Sequence, residues 1–229
     1  MRKVMIAAPS HDGRLSVWHA AALSETAKLG VALDINVVAI YMSFDSLVQR
    51  ARNDIVAMAL QHDFDDLVFI DTDQDWQPED FFQLLEHDVD VVGAPVRKKQ
   101  DVESYNVKLL GDYAVNENGL VEVDGVGTGF LRIRKAALEK VWAVSEVYRE
   151  AHKTHESRMV FDVKLIDGEI WAEDIVFCKK WRDLGGTVWI DPAIDSGHSG
   201  EKRWTGNFSH WIESKKPMRF GDRPVKILR

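Results

Sequence analysis

The stretch Leu67-Val68-Phe69-Ile70-Asp71-Thr72-Asp73-Gln74-Asp75 decides how the chain is read. Four apolar residues run straight into three carboxylates at alternate positions. An apolar run this short, rich in Val, Phe and Ile, fits a buried strand of a parallel sheet. Acidic residues do not continue unpaired inside such a sheet, so the strand ends near Asp71 and opens into a crevice. In open α/β sheets, ligands sit beyond the carboxyl ends of the strands. Two carboxylates two residues apart are an oxygen donor set for Mg²⁺ or Mn²⁺, ions that neutralise phosphate. The same residues also suit a plain polar turn, with Asp75 or a neighbour capping the helix that opens near Gln77-Pro78-Glu79-Asp80.

Working outward, the pattern is strand and helix in alternation, an α/β reading with a mostly parallel sheet flanked by helices. Residues 4–8 read as the first strand, ended by Pro9, with turn-rich Ser10-His11-Asp12-Gly13-Arg14 after it. That loop has no G-x-G-x-x-G, so a dinucleotide fingerprint is absent. Residues 16–29 read as a helix with Val17, Ala20, Ala21 and Leu23 on one face and Gly30 as its stop. A strand over 34–41 and a helix over 46–62 follow; Leu47, Ala51, Ile55, Met58 and Ala59 line one side of the helix. Arg52 and Asn53 on that helix suit a phosphate or a base, or a surface ion pair with Asp54 or Asp45.

A helix begins at Pro78, where a missing N–H costs little. A strand over 89–94 ends at Pro95, and Arg97-Lys98-Lys99 follow it. Residues 101–124 are polar and hairpin-like, turning at Asn116-Glu117-Asn118-Gly119. The glycine-rich run 124–130 lets backbone approach a ligand, or forms bulges. It leads to a strand and a helix over 135–148. Residues 149–161 read as a mobile loop whose His152 and His155 complete no metal set. Trp171-Ala172-Glu173-Asp174 opens a helix stopped by Gly185-Gly186; its acids complement the helix dipole or serve as a general base. His198, between glycines, offers an imidazole suited to Mn²⁺.

The length, 229 residues, suits one domain with a full core. One cysteine, Cys178, excludes an internal disulfide framework and a cysteine-based zinc cluster, and fits a cytoplasmic setting. No run approaches 18 apolar residues, so no membrane span is expected. The net charge of −8 argues against a nucleic-acid partner, yet residues 201–229 carry eight Lys and Arg against three acids, with Trp204, Phe208, Trp211 and Phe220 among them. That segment suits either a polyanion and its bases or a closing segment packed by its aromatics.

In their order, these motifs resemble a GT-A glycosyltransferase, specifically the small family-2-like group common in bacteriophages. The residues that carry the likeness are Arg50-Ala51-Arg52-Asn53, Asp71-Thr72-Asp73, Gly93-Ala94-Pro95 with Lys99, Val126-Gly127-Thr128-Gly129-Phe130, Glu173-Asp174-Ile175-Val176-Phe177-Cys178, and His198 in Gly-His-Ser-Gly. The resemblance covers residues 4–200 and implies a GT-A domain over 1–200, with 201–229 as an extension on or beside the active site. It implies a UDP-sugar donor and Mn²⁺ or Mg²⁺. Asp73 and His198 would hold the metal, and Asp71 would contact the metal or the donor's ribose; the register Asp73-Gln74-Asp75 is the alternative pair. Pro9, Arg14, Arg52, Asn53, Thr72 and Lys99 would line the donor site. Gly127, Thr128, Gly129 and Trp171 would face the acceptor, and Asp174, with Glu173 beside it, would be the base of an inverting reaction. Members of the group decorate 5-hydroxymethylated pyrimidines in double-stranded DNA; a glycan, envelope or protein acceptor is the alternative. From another class, a nucleotidyltransferase or a non-catalytic nucleotide-binding module also uses paired carboxylates.

Overall fold

The computed structural model describes residues 1–111, 113–150 and 156–215. His152, His155 and the end of the tail, Phe220 included, lie outside the described residues. In chain order the elements are β1 (Arg2–Ser10), α1 (Val17–Ala32), β2 (Ile35–Ser43), α2 (Val48–Ala59), β3 (Asp66–Ile70), β4 (Gln74–Asp75), α3 (Pro78–Glu86), β5 (Val91–Gly93), β6 (Val107–Leu109), β7 (Val121–Val126), β8 (Phe130–Arg134) and α4 (Lys135–Val144). Then come β9 (Val147–Tyr148), β10 (Ser157–Arg158), β11 (Lys164–Ile166), β12 (Glu169–Trp171), α5 (Glu173–Asp183), β13 (Val188–Ile190), β14 (Gly197–Ser199), β15 (Arg203–Trp204) and α6 (Phe208–Glu213).

The central sheet has eight strands in the order β2-β1-β3-β8-β5-β13-β7-β6. Only β8 and β7 run against the others, so the sheet is mostly parallel in direction but mixed in pairing. Its two faces bury alternate side chains. On one face Met5, Ala7, Leu67 and Phe69 meet Ile55 and Ala59 of α2, Leu138 of α4 and Phe177 of α5. On the other, Val4, Ile6, Val68 and Ile70 meet Ala22 of α1 and Phe81 and Leu84 of α3. This explains the unbroken apolar run: every residue of β3 is buried, because helices cover both faces. No helix among the described residues is long and apolar enough to cross a membrane.

Several expectations from the sequence are corrected. The first strand does not end at Pro9 but runs to Ser10. The ladder to β3 stops at Ala7, so Pro9 keeps a strand neighbour only in β2, the setting in which a strand tolerates a missing N–H. Gly30 does not stop α1. It is buried inside the helix, and a Cβ there would sit 3.0 Å from the Ile35 carbonyl oxygen; glycine lets the helix close on β2. The buried face of α1 is His19, Ala22, Thr26 and Gly30, while Val17 is 75% exposed. That face is polar because it is bonded: Trp76 Nε1 donates to Thr26 Oγ1 at 2.9 Å, and His19 reaches the Asp71 carbonyl and the Tyr41 hydroxyl.

The helix begun at Lys135 ends at Val144, and β9 follows it to pair with β10. The segment after β10 is anchored rather than loose, with Val160 and Phe161 wholly buried. Phe161 stacks on Phe177, with ring centroids 4.9 Å apart. Asn53 holds it there, donating to the Phe161 carbonyl at 2.9 Å and accepting from the Phe161 N–H at 2.8 Å. Asn53→Ala leaves two buried backbone groups bare and should cost about 2–4 kcal/mol. The melting temperature should drop by several degrees in a calorimetric scan, and an unshifted melt would contradict this role.

The described part of the tail folds onto the body. β15 extends the small sheet β15-β14-β4, and Phe208 of α6 is wholly buried against Tyr105. Trp211 Nε1 donates to the Glu103 carbonyl at 2.8 Å.

Candidate active site

The carboxyl ends of β1 and β3 lie side by side, and the chain crosses from one to the other by way of β2 and α2, so the crevice between them is a place for a ligand. The acidic turn after β3 is pinned by its backbone from three sides. Ser16 N–H donates to the Thr72 carbonyl at 2.9 Å, Gln74 N–H to Asp71 at 2.9 Å, and Ser199 N–H to Asp73 at 2.7 Å. The three carboxylates then diverge. Asp71 takes Arg52 Nη2 at 3.0 Å, Asp73 takes Lys99 and faces His198, and Asp75 is gripped twice by Arg203, at 3.0 and 2.6 Å.

Two adjoining hollows open above this turn and share Val48, Arg52, Asp71 and His198. The smaller, about 310 Å³, is lined by Pro9, His11, Asp45, Ser46, Thr72 and Asp73. The larger, about 480 Å³, carries Lys98, Lys99, Asn106, Thr128, Gly129, Glu173 and Asp174. A third cavity of about 720 Å³ lies at the opposite end of the sheet. Its arginines are engaged with carboxylates, Arg2 with Asp66 at 2.7 Å and Arg134 with Asp88 at 2.9 Å, and it lies away from the acidic turn after β3.

Arg52 is the hinge of the charge pattern. It is 5% exposed, and its guanidinium joins Asp71 at the end of β3 to Glu173 at the first turn of α5. Burial pushes the Glu173 carboxyl up, and Arg52 partly offsets this. Burial also raises the Asp174 carboxyl, against the Ile175 N–H, Arg52 and Asn106, which stabilise its anion. A desolvated carboxylate with a raised pKa is a better proton acceptor than one in water. Asp73 goes the other way. Burial would raise it, but hydrogen bonds and charge from His198 and Lys99 hold it at about 2.

The metal expectation meets a specific test at His198. Its Nδ1 lies 2.7 Å from the Arg97 carbonyl oxygen, which only accepts, so the ring proton is on Nδ1. Nε2 then faces Asp73 Oδ1 at 3.4 Å. A protonated ring donates to Asp73 there, and a ring without that proton presents a lone pair beside the carboxylate, a pair of donors that a cation between them would suit. A histidine whose other nitrogen donates to a backbone carbonyl is the usual state of a metal ligand. Among the described residues no three His, Cys, Asp or Glu side chains form a ready cage. Asp73 and His198 instead fit the mode in which one or two protein ligands share an ion with substrate phosphates.

The structure brings Pro9, Arg52, Asp71, Thr72, Asp73, Lys99, Thr128, Gly129, Glu173, Asp174 and His198 to these two hollows. It places others elsewhere. Asn53 is spent on Phe161, and Arg14 points outward beside Asp12. Asp75 lies in the β4 ladder under Arg203, away from both hollows. Trp171 lies under the Lys108 ammonium, 3.5 Å from its ring centroid, and Gly127 sits one layer back, beneath Asn106. Sequence reasoning did not single out Asn106, Asp45, His11 or Val48 as ligand-facing. Only the turn-rich loop after β1 pointed toward one of them, His11.

No protein-family model matches the chain, and no curated protein matches it. Among solved structures, it is similar to A197 from STIV at TM-score 0.54 and 19% identity, over 100% of this chain and 99% of that one. It is also similar to S. aureus TarS in complex with UDP-GlcNAc, at TM-score 0.47 and 14% identity, over 91% of this chain and 61% of that one. A glycosyltransferase involved in the glycosylation of the major capsid of PBCV-1 matches at TM-score 0.35 and 13% identity, over 62% and 66% of the two chains. The likeness to A197 runs the whole length of both chains, and what it shows is a common fold.

Proposed function

We propose that this protein is a glycosyltransferase that moves a sugar from a UDP-sugar to an acceptor hydroxyl with Mn²⁺ or Mg²⁺ bound at Asp73 and His198. The observation that carries this reading is the division of labour between two adjoining hollows. Asp73, at the smaller, is bonded by Lys99 and faced by His198, a setting for a diphosphate. Asp174, at the larger, is buried and raised in pKa, a setting for a proton acceptor. Arg52 and Asp71 lie between them.

The donor's nucleoside end suits the smaller hollow behind Pro9, and its sugar suits the larger. A bound divalent ion supplies charge neutralisation of the departing diphosphate. Lys99 shares that task from the rim. Asp174 takes the acceptor proton as the hydroxyl oxygen attacks the anomeric carbon. The bond from that carbon to the diphosphate oxygen breaks, and the diphosphate carries the electron pair away. A single displacement of this kind inverts the anomeric centre.

The test is UDP release from a panel of UDP-sugars with Mn²⁺, with Mg²⁺ and after chelation. One sugar should release UDP well above background in the presence of metal, and chelation should stop it. UDP binding without release from any sugar would favour a non-catalytic nucleotide-binding module. Pyrophosphate release from a nucleoside triphosphate and a sugar phosphate would favour a nucleotidyltransferase. Mass spectrometry of the products separates the two acceptor readings, hydroxymethylated DNA and a glycan or protein hydroxyl. In the described tail Arg203 is paired with Asp75, Lys202 with Asp101, and Phe208 is buried.

A further inference from the structure

We propose that Asn106, seated against Gly127, is the positioning residue that fixes the Asp174 carboxylate; the proposal rests on Asp174 acting as the base. Asn106 precedes β6 and its backbone is pinned on both sides. Its N–H donates to the Val96 carbonyl at 3.0 Å, and its carbonyl accepts the Gly127 N–H at 2.9 Å. From that fixed point the side-chain Nδ2 donates to Asp174 Oδ2 at 3.3 Å. The other oxygen, Oδ1, accepts the Ile175 N–H at 2.7 Å. Each carboxylate oxygen therefore has its own donor, one from the first turn of α5 and one from the segment before β6. Such a carboxylate has little freedom to rotate away from an acceptor hydroxyl.

Gly127 explains how the amide gets there. Its backbone lies outside the left-handed region, so conformation does not demand glycine at this position. Room does: a Cβ at 127 would collide with the Asn106 amide. The glycine-rich run is thus a slot for a side chain as well as a place for ligand approach. The charged and titratable groups facing Asp174 are Arg52 from α2, Asp71 from the end of β3, and Glu173 and Cys178 from its own helix. None of them donates to Oδ2 in place of Asn106.

The experiment follows UDP release against pH for the parent and for Asn106→Ala, Asn106→Asp, Gly127→Ala and Asp174→Asn, with melting curves for each. Loss of the donor should destabilise the Asp174 anion, so the acid limb of the kcat/KM profile should move upward by about one pH unit. In Asn106→Ala, kcat should fall about tenfold, with the donor KM nearly unchanged. Asn106→Asp keeps the packing and replaces the donor by a like charge, so its acid limb should move further up. Gly127→Ala should evict the amide and reproduce the Asn106→Ala profile. The proposal is overturned if Asn106→Asp and Gly127→Ala keep the parent's acid limb while Asp174→Asn is inactive. An Asp174→Asn enzyme as fast as the parent would remove the base itself and the proposal with it.

Discussion

Asp174→Asn is expected to lower turnover by about two to four orders of magnitude, the range that a positioned general base contributes. The substitution is nearly isosteric. A side-chain oxygen can still accept the Ile175 N–H at the start of α5, so the first turn of the helix keeps its bond. The fold should therefore stand, and the melting temperature should stay within a few degrees of the parent. What disappears is a desolvated anion 6% exposed at the cleft wall; Asp71, which lines the same hollow, is engaged by Arg52. Glu173, one residue away, is held by Arg52. Binding of the UDP-sugar, measured by titration calorimetry, should be unchanged, because Asp174 lies on the wall away from the smaller hollow. A variant that turns over within threefold of the parent would end the assignment of Asp174 as base.

The second large effect is expected at Asp73. Asp73→Ala should remove tight Mn²⁺ binding and reduce turnover by about a hundred- to a thousandfold, the scale on which electrostatic stabilisation of a departing anion acts. Its backbone carbonyl still accepts the Ser199 N–H, so the turn should keep its shape. His198, bonded to the Arg97 carbonyl, then has no carboxylate to share an ion with. Asp75→Ala should behave differently. Its carboxylate serves Arg203 rather than the cleft, so metal affinity should hold while the β4–β14 region loosens. Electron paramagnetic resonance of Mn²⁺ reads this contrast directly. Equal metal affinity in parent and Asp73→Ala would overturn the two-ligand site, and loss of affinity in Asp75→Ala would restore the alternative register.

Much of the architecture was legible because it follows from periodicity and burial. β3 announced itself as an apolar run closed by acids, and both faces of the sheet proved to be covered. The helices at Val48, Pro78 and Glu173 begin close to where apolar spacing, proline and first-turn acids placed them. Long-range packing was not legible. Nothing local says that β8 inserts antiparallel between β3 and β5, because an edge-to-edge pairing leaves no mark on either strand's own pattern. Gly30 and Asn53 were misread for one reason. A glycine near a helix end and a polar residue near an arginine have obvious local uses, but their actual use was set by β2 and by Phe161. The site shows the same division. Asp71, Asp73, Glu173 and Asp174 stand in short motifs that chemistry marks, whereas Asn106 sits in a polar stretch without any pattern, and only the fold delivers it to Asp174.

The pairing of β4 with β14 and β15 bears on when the protein becomes competent during its manufacture. The ribosome emits the acidic turn early and the strand bearing His198 late. Until that strand has left the exit tunnel and zipped onto Gln74 and Asp75, the nascent chain holds half of the proposed cation site. A partly made polypeptide therefore carries Asp73 without the imidazole that faces it, and the proposed cation site is complete only once residues 197–199 have joined β4.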